Sequence, residues 1–397
     1  IKELQNLYML DSNTSKKKKS ISVAIILGVV GLYLGILYLI NTFTGSFDLA
    51  HFLNSKNIME NHQKELMKKI QRDSHFEDIN AEEYIQEVEK IITMEKKRNL
   101  GGWVSFKSFT PNISGKYITT NDFGMRSQWS LREMVQRARS NRGEGKRNIV
   151  ILGGSVAFGY GATNDELTIS SVLNDILGRD KYEVFNLAQG GFTSFMDLFS
   201  LSTIGLFLEP DIIIVMEGHA DIHHLVYDSK GGELALGLFS KSEEKMDPKF
   251  AFGFHYQNLD AILRLGTHLN RQVILALQPL SGFENNSTIE NEKIKKIWPL
   301  YPRIRKIMQL VAENNDAEFI DLSVIFKDEK KSSINFFDKA HLTVTGQKKV
   351  AMVFAEKIKN TSAKKPQNLD AYRLSRKVVH DILAQDFSGE YTTIEDY

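Results

Sequence analysis

The sequence predicts an α/β domain in which a five-stranded parallel sheet lies between two layers of helices. Short apolar runs, typical of strands buried on both faces, occur at residues 148–152, 183–187, 211–216, 272–277 and 318–322. Segments with apolar residues at helical spacing lie between these runs, at 165–177, 194–207, 257–269 and 290–312. Strands that alternate with helices form parallel sheets, and ligands bind beyond the carboxyl ends of such strands.

An apolar segment near the N-terminus predicts a membrane anchor. No charged residue occurs between Lys19 and Asp48, and residues 21–40 are almost entirely apolar. Such a stretch is long enough to cross a bilayer, so we expect a transmembrane helix within residues 20–45, with a cleaved signal peptide as the alternative. Four lysines at residues 16–19 place the N-terminus, residues 1–19, in the cytoplasm and the main domain on the extracytoplasmic or periplasmic side of the cytoplasmic (inner) membrane.

The segments that flank the α/β domain predict helices with surfaces to bury. Residues 46–114 combine a lysine- and glutamate-rich helical pattern with a connector, and indicate a helical stalk or a cover on the domain. At the other end, residues 361–397 contain an amphipathic helix with Leu374, Val378 and Ile382 on one face, followed by a tail. Gly31 and Gly35 have the spacing at which membrane helices approach closely. The bilayer and membrane proteins are therefore the expected partners.

Composition excludes some classes of function. The net charge is +1, and no basic stripe with interleaved aromatic residues occurs, so nucleic acid is not an expected partner. The chain has no cysteine and therefore no disulfide. His219, His223 and His224 could suggest a metal, but no further ligand has useful spacing, so surface histidines are preferred and neither a metal nor a cofactor is expected.

Three residues have the chemistry of a serine nucleophile and its partners. Ser155 follows an apolar strand and two glycines, which places its hydroxyl at the carboxyl end of the sheet. His341 can accept the serine proton if a third group fixes its tautomer, and Asp338 lies three residues before it. The spacing predicts acyl-transfer chemistry, while a glycine-rich turn with a serine helix cap is the alternative.

Four sequence blocks, at residues 153–159, 186–191, 218–221 and 338–341, resemble in order and context the signature blocks of the SGNH (GDSL-like) hydrolase family. The resemblance covers residues 115–360 and implies a flavodoxin-like three-layer sandwich. It also implies that Ser155 is the nucleophile, that His341 is the base held by Asp338, and that the amides of Ser155 and Gly191 are oxyanion donors. The third block departs from the family, since Ala220 replaces the asparagine that normally completes the oxyanion hole.

The resemblance implies a membrane-anchored acyl-ester hydrolase or acyltransferase that acts outside the cytoplasmic membrane on O-acylated glycans, with a weakened oxyanion hole. His219, or less favourably Asn164, could replace the missing donor. The alternative is a catalytically reduced scaffold subunit of a membrane protein complex. Arg126 lies in a segment, residues 120–126, similar to one in membrane-anchored relatives, and could face an anionic group or form a structural ion pair. Residues 228–250 could form a lid or a solvated insertion.

Overall fold

The computed structural model describes residues 79–93, 110–222, 248–281, 298–327 and 334–360, all within one compact unit, Glu65–Tyr397. Its parallel sheet has five strands: β1 (Arg147–Gly153), β2 (Tyr182–Asn186), β3 (Ile212–Glu217), β4 (Gln272–Leu277) and β5 (Glu318–Asp321). Their order is β2-β1-β3-β4-β5, the flavodoxin-like order. The predicted parallel sheet is confirmed, and no predicted strand end is more than one residue from the observed one.

Helices cover both faces of the sheet. The helices are α1 (Ala81–Thr93), α2 (Leu131–Gly143), α3 (Ser155–Phe158), α4 (Ile169–Leu177), α5 (Ser194–Thr203), α6 (Pro248–His268), α7 (Tyr301–Asn314) and α8 (Val344–Asn360). One hydrophobic cluster joins the sheet to α1, α4 and α8, and a second joins it to α2, α5, α6 and α7. The described residues therefore form a three-layer sandwich.

The strand sequences explain why both faces are covered. In β1, Ile149 and Ile151 belong to one cluster, while Val150 and Leu152 belong to the other, and all four side chains are fully buried. A strand that buries both faces has no need for polar residues at alternate positions, which is why these runs are continuously apolar. The sheet therefore fixes the carboxyl end of β1, where Ser155 follows.

Several helices differ from the sequence prediction, which contains no helix at α8. The sequence predicted no helix at α2, which buries few residues, among them Met134 and Ala138, but is stabilised at its start by a capping box between Ser130 and Glu133. Helix α6 begins at Pro248, ahead of the predicted start at residue 257. The predicted helix 290–312 is seen from Tyr301 onward, and residues 290–297 lie outside the described ranges.

Helix α1 is a cover on the domain. Tyr84, Val88 and Ile91 on its inner side are buried in the cluster that contains α4 and α8. The carboxylate of Glu87 accepts hydrogen bonds from the backbone N–H groups of residues 116–118, at 2.7, 2.9 and 3.1 Å. The helix thus shares the core of the α/β domain.

Several predictions concern residues outside the described ranges. These are the transmembrane helix at 20–45 with Gly31 and Gly35, most of the segment 228–250, and the C-terminal helix within 361–397. Among the helices that the structure describes, none combines the length and apolarity needed to span a bilayer. The anchor and the C-terminal helix stay predictions.

Candidate active site

Ser155 lies in a tight turn at the carboxyl end of β1. Gly153, the last residue of the strand, has a φ of +143°, a conformation that side chains disfavour. A Cβ atom built on Gly153 would lie 2.5 Å from the carbonyl oxygen of Met216 in the adjacent strand, so only glycine fits. Ser155 then begins α3, where backbone N–H groups have no partner within the helix. The turn therefore presents both the serine hydroxyl and helix-start amides at the edge of the sheet.

His341 and Asp338 reach Ser155 from the loop before α8. The Oγ atom of Ser155 lies 2.8 Å from Nε2 of His341, although the two residues are 186 positions apart. On the other side of the ring, Nδ1 of His341 lies 2.7 Å from Oδ2 of Asp338. The structure thus brings together the three residues that the sequence predicted, within hydrogen-bond distance of one another.

Backbone N–H groups of its own loop hold the Asp338 carboxylate in place. Its Oδ1 atom accepts the backbone N–H groups of Ala340 and His341, at 2.8 and 2.7 Å. Burial raises the pKa of the Asp338 carboxyl, but the charge of protonated His341 and these hydrogen bonds outweigh burial, so the pKa lies well below its usual range. Asp338 is therefore ionised at neutral pH and can hold the proton on Nδ1 of His341, which leaves Nε2 free to accept a proton.

Two aromatic rings enclose the imidazole of His341. The ring of Tyr160 lies 4.5 Å from the imidazole between centroids, and the ring of Phe337 stacks on it at 5.6 Å. Both contacts restrict rotation of the histidine side chain. Sequence reasoning missed both rings: Tyr160 comes from a distant part of the chain, whereas Phe337 directly precedes Asp338 in the loop that carries His341.

Arg126 supports the loop that carries Tyr160. Its fully buried guanidinium forms an ion pair with Asp165 at 2.6 Å and donates to the carbonyl oxygens of Gly159 and Tyr117, at 2.6 and 2.9 Å. Of the two roles that the sequence left open, the structure places Arg126 in the ion pair. Arg126 is buried and holds the backbone just after α3, so it stabilises the helix that begins at Ser155.

The loop after β2 places Gly191 near the nucleophile turn. Backbone N–H groups of Leu187 and Gln189 donate to the carbonyl oxygens of Ile151 and Gly153, at 2.9 and 3.1 Å. Gly191 itself has a φ of +74° in the turn that follows. This loop is thereby fixed alongside the end of β1.

Ala220 faces the same turn from the end of β3. A Cβ atom built on Gly154 would lie 3.8 Å from the Cβ atom of Ala220, so the methyl group points at the residue before the serine. A methyl group at this position carries no hydrogen-bond donor. His219, the first candidate for a substitute, is half-buried beside it. The second, Asn164, caps a 3₁₀ turn, Asp165–Leu167, and its Oδ1 atom accepts the N–H of Leu167.

Sequence reasoning also missed a group of buried acids beneath the turn. Asp197 on α5, Glu217 at the end of β3 and Asp221 after Ala220 are each at most 1% exposed. The signal was present, since Glu217 is a charged residue that ends an otherwise apolar strand. In the part of the chain that the structure describes, no cluster of three or more histidine or acidic side chains has the arrangement of a metal site, and His223 and His224 lie outside it.

No protein-family model and no curated protein sequence matches the chain. Solved structures with a similar backbone include an acetyl xylan esterase, which is 17% identical over 53% of this chain and 99% of its own, with a TM-score of 0.40. A catalytic mutant of an acetylxylan esterase from Geobacillus stearothermophilus is 15% identical over 56% of this chain and 99% of its own, with a TM-score of 0.42.

A lipase/acylhydrolase from Enterococcus faecalis is also similar, at 20% identity over 55% of this chain and 100% of its own, with a TM-score of 0.37. The similar structures are thus esterases and an acylhydrolase, matched along about half of the chain. At these scores the likeness establishes no activity for the chain, and the chemistry has to be argued from the geometry of Ser155 and its neighbours.

Proposed function

We propose that this chain is an acyl-ester hydrolase or acyltransferase that uses Ser155 as its nucleophile. The observation that carries the proposal is the unbroken sequence of hydrogen bonds from Ser155 Oγ to His341 Nε2 and from His341 Nδ1 to Asp338. A hydroxyl, an imidazole and a carboxylate in this order form a general mechanism for activating serine.

The proposed reaction has two steps. Ser155 Oγ attacks the ester carbonyl carbon while its proton passes to Nε2 of His341, and the resulting imidazolium is stabilised by Asp338. When the tetrahedral intermediate collapses, the leaving alcohol takes that proton and the acyl group stays on Ser155. Water or an acceptor hydroxyl, deprotonated by His341, then attacks the acyl-serine, the bond between Ser155 Oγ and the acyl carbon breaks, and Oγ takes the proton back from His341. Water gives hydrolysis, and an acceptor hydroxyl gives acyl transfer.

The oxyanion that forms in each step needs hydrogen-bond donors. The amides of Ser155 and Gly191 are the proposed donors, and Ala220 supplies none. Removing one such donor typically lowers turnover by about 10² to 10³, or roughly 3 to 4 kcal/mol of transition-state stabilisation. We therefore propose a slow enzyme with a weakened oxyanion hole, in which His219 is the first candidate for a partial substitute.

We further propose that the domain is anchored in the cytoplasmic membrane and acts outside it. The support is the apolar segment 21–40 preceded by the lysines at 16–19. Glycans are the polymers available on that side, so O-acylated glycans are the proposed substrates. Protease added to sealed spheroplasts should digest the domain after residue 45 and leave a cytoplasmic marker protein intact. Protection of the whole domain would reverse the proposed orientation.

A fluorophosphonate probe tests the nucleophile without knowledge of the substrate. We expect the unmodified protein to be labelled, Ser155→Ala to be unlabelled, and His341→Ala to be labelled far more slowly. Ser202→Ala is a matched control, because Ser202 is an exposed serine on α5 whose hydroxyl bonds only locally, to the carbonyl of Phe199 at 3.0 Å. Equal labelling of Ser155→Ala and the unmodified protein would show that Ser155 is not the activated residue.

One observation favours a second candidate function. The methyl group of Ala220, directed at the nucleophile turn, leaves the third oxyanion position without a donor. A domain that had become a scaffold subunit could lose this donor freely, and the Gly31 and Gly35 face and the C-terminal helix would then bind membrane partners. This proposal expects no probe labelling of a folded protein, and recovery of a stable complex from detergent-solubilised membranes.

A further inference from the structure

Three carboxyl groups meet beneath the nucleophile turn. Asp197, Glu217 and Asp221 are at most 1% exposed, and the carboxyl of Glu217 is within hydrogen-bonding contact of the other two. Asp221 has compensating partners, since its Oδ2 atom lies 3.3 Å from Nδ1 of His255 and its carboxylate accepts from the hydroxyl and amide of Ser194. Adjacent buried carboxylates repel one another strongly in a medium of low dielectric constant, so this arrangement requires a bound proton.

Asp197 is connected directly to the turn that carries Ser155. Its Oδ1 atom accepts a hydrogen bond from the backbone N–H of Gly153, at 3.0 Å. Gly153 has the positive φ described above and lies two residues before the nucleophile. The orientation of this N–H fixes the peptide plane at the end of β1, and Ser155 is placed by the turn that follows.

The remaining oxygens identify where the proton lies. Among the described residues, Oδ2 of Asp197 and Oε1 of Glu217 are buried and have no N–H or O–H group that donates to them. A proton shared between the two carboxyl groups satisfies the pair and removes one of the adjacent negative charges. The other oxygen of Asp197 then keeps its bond to Gly153.

We propose that Asp197 and Glu217 are positioning residues for the reaction of Ser155, because a proton shared by their carboxyl groups holds Asp197 against the Gly153 amide. The inference rests on the proposed function of Ser155 and adds the contacts that orient this residue. Neither acid touches the reacting atoms. Their effect is to keep the nucleophile turn in the conformation from which Ser155 Oγ reaches His341.

The groups that face Glu217 agree with this assignment. Asp197 faces it from α5 and Asp221 from the segment after β3, while His255 on α6 lies beyond Asp221, and the charge of Glu217 in turn helps to raise the pKa of Tyr301 on α7. Burial raises the pKa of the Glu217 carboxyl well above its usual range, and the negative charges of Asp197 and Asp221 raise it further. Burial also raises the pKa of the Asp197 carboxyl, to about 7, so the two acids share a proton at neutral pH and Glu217 is the member that favours it more strongly.

Conservative and disruptive variants separate positioning from a structural role. Glu217→Gln keeps a donor, since its amide N–H can bond to Asp197, so the rate constant for labelling of Ser155 by the fluorophosphonate probe should stay within about threefold of the unmodified protein. Glu217→Leu and Asp197→Leu remove the donor and the acceptor. Their labelling rate constant should fall by about 10², the effect of a misplacement of about 1 Å, with little change in the binding constant of the probe.

A buried acid at the opposite end of the sheet provides the control. Glu183, near the start of β2, bonds to Arg137 and Asn141 at 2.7 and 3.0 Å, away from the turn. Glu183→Gln should leave labelling unchanged. Folded Asp197→Leu that is labelled at the rate of the unmodified protein would overturn the proposal. So would a Glu217→Gln variant as slow as Glu217→Leu, because then the donated proton has no role.

A second measurement keeps this inference separate from the proposed function. In protein labelled with ¹⁵N-glycine, the Gly153 amide resonance reports its hydrogen bond to Asp197. We expect this resonance to shift in Asp197→Leu and Glu217→Leu and to stay in place in Glu217→Gln. If the unmodified protein is not labelled by the probe, the proposed function fails, and the resonance alone decides the inference. An unchanged resonance in Asp197→Leu overturns it.

Discussion

Ala220→Asn restores the group that the third block lacks. The Cβ atom of Ala220 lies 3.8 Å from the position of a Cβ on Gly154, so the side chain at this position contacts the turn that carries Ser155. We expect the amide of an asparagine, two bonds longer, to reach the proposed oxyanion position. One donor that strengthens its bond in the transition state is worth about 2.7 to 4 kcal/mol. We therefore expect hydrolysis of p-nitrophenyl acetate to rise by up to about 10², the lower end of that range, because the site was not shaped around the new amide.

The matched control is Ala220→Leu, which has nearly the shape of asparagine but no N–H. It should gain nothing, and Ser155→Ala combined with Ala220→Asn should abolish the gain. The result that would refute the reasoning is a neutral or harmful Ala220→Asn accompanied by a large loss in His219→Phe, since another group would then already complete the hole. If the unmodified protein, Ala220→Asn and Ser155→Ala are all folded and equally inactive, the scaffold proposal replaces the enzyme proposal for this ester class.

Three further predictions concern the turn and its support. Asp338→Asn should lower kcat by about 10⁴, because an amide favours the wrong tautomer of the histidine. Asp316→Asn, at an exposed position, is the control, and an equal kcat for the two variants would contradict the prediction. Gly153→Ala should cost several kcal/mol of unfolding free energy, since the methyl group would lie 2.5 Å from a carbonyl oxygen, whereas Gly143→Ala, with open space around it, should cost nothing measurable in urea unfolding. The raised pKa of Glu217 means that the folded state holds a proton that the unfolded chain releases above about pH 4.5, so stability falls as pH rises toward that pKa. One such proton lowers the free energy of unfolding by about 1.4 kcal/mol for each pH unit, and this decrease should be absent in Glu217→Gln. The measurement is the free energy of unfolding in urea between about pH 5 and 7, and an equal pH dependence in the unmodified protein and the variant would contradict the prediction.

The parts of the fold that the sequence predicted well are those with strong local signals. Strand β4 was predicted without error, because Val273 to Leu277 are all buried and the run is apolar throughout. Helix α2 was missed, since it buries few residues and is stabilised by a cap, which is a local hydrogen bond rather than a hydrophobic pattern. The start of α6 at Pro248 was also missed, because the spacing of apolar residues before residue 257 does not indicate a helix.

The same distinction holds at the site. Ser155, His341 and Asp338 could be predicted, because a serine after a strand and two glycines, and an aspartate three residues before a histidine, are local patterns. The ring of Tyr160, in contrast, flanks His341 only because loops from distant parts of the chain meet there. Phe337 is adjacent to Asp338 in sequence, but an apolar ring at that position is not a pattern that marks a catalytic neighbour. Asp197 could not be predicted as a partner of Gly153, since a 44-residue separation leaves no trace in either segment.

The supporting contacts bear on the choice between enzyme and scaffold. A scaffold needs a stable sheet, but it has no need for a histidine whose two nitrogens lie 2.8 and 2.7 Å from a serine and an aspartate. Buried carboxyl groups beneath the turn oppose folding, because Glu217 must give up hydration and hold a proton. In a domain that does not need a reactive Ser155, apolar residues at these positions would give a more stable fold than the acids do. The presence of these acids beside Gly153 therefore favours the proposed chemistry at Ser155 over the scaffold proposal.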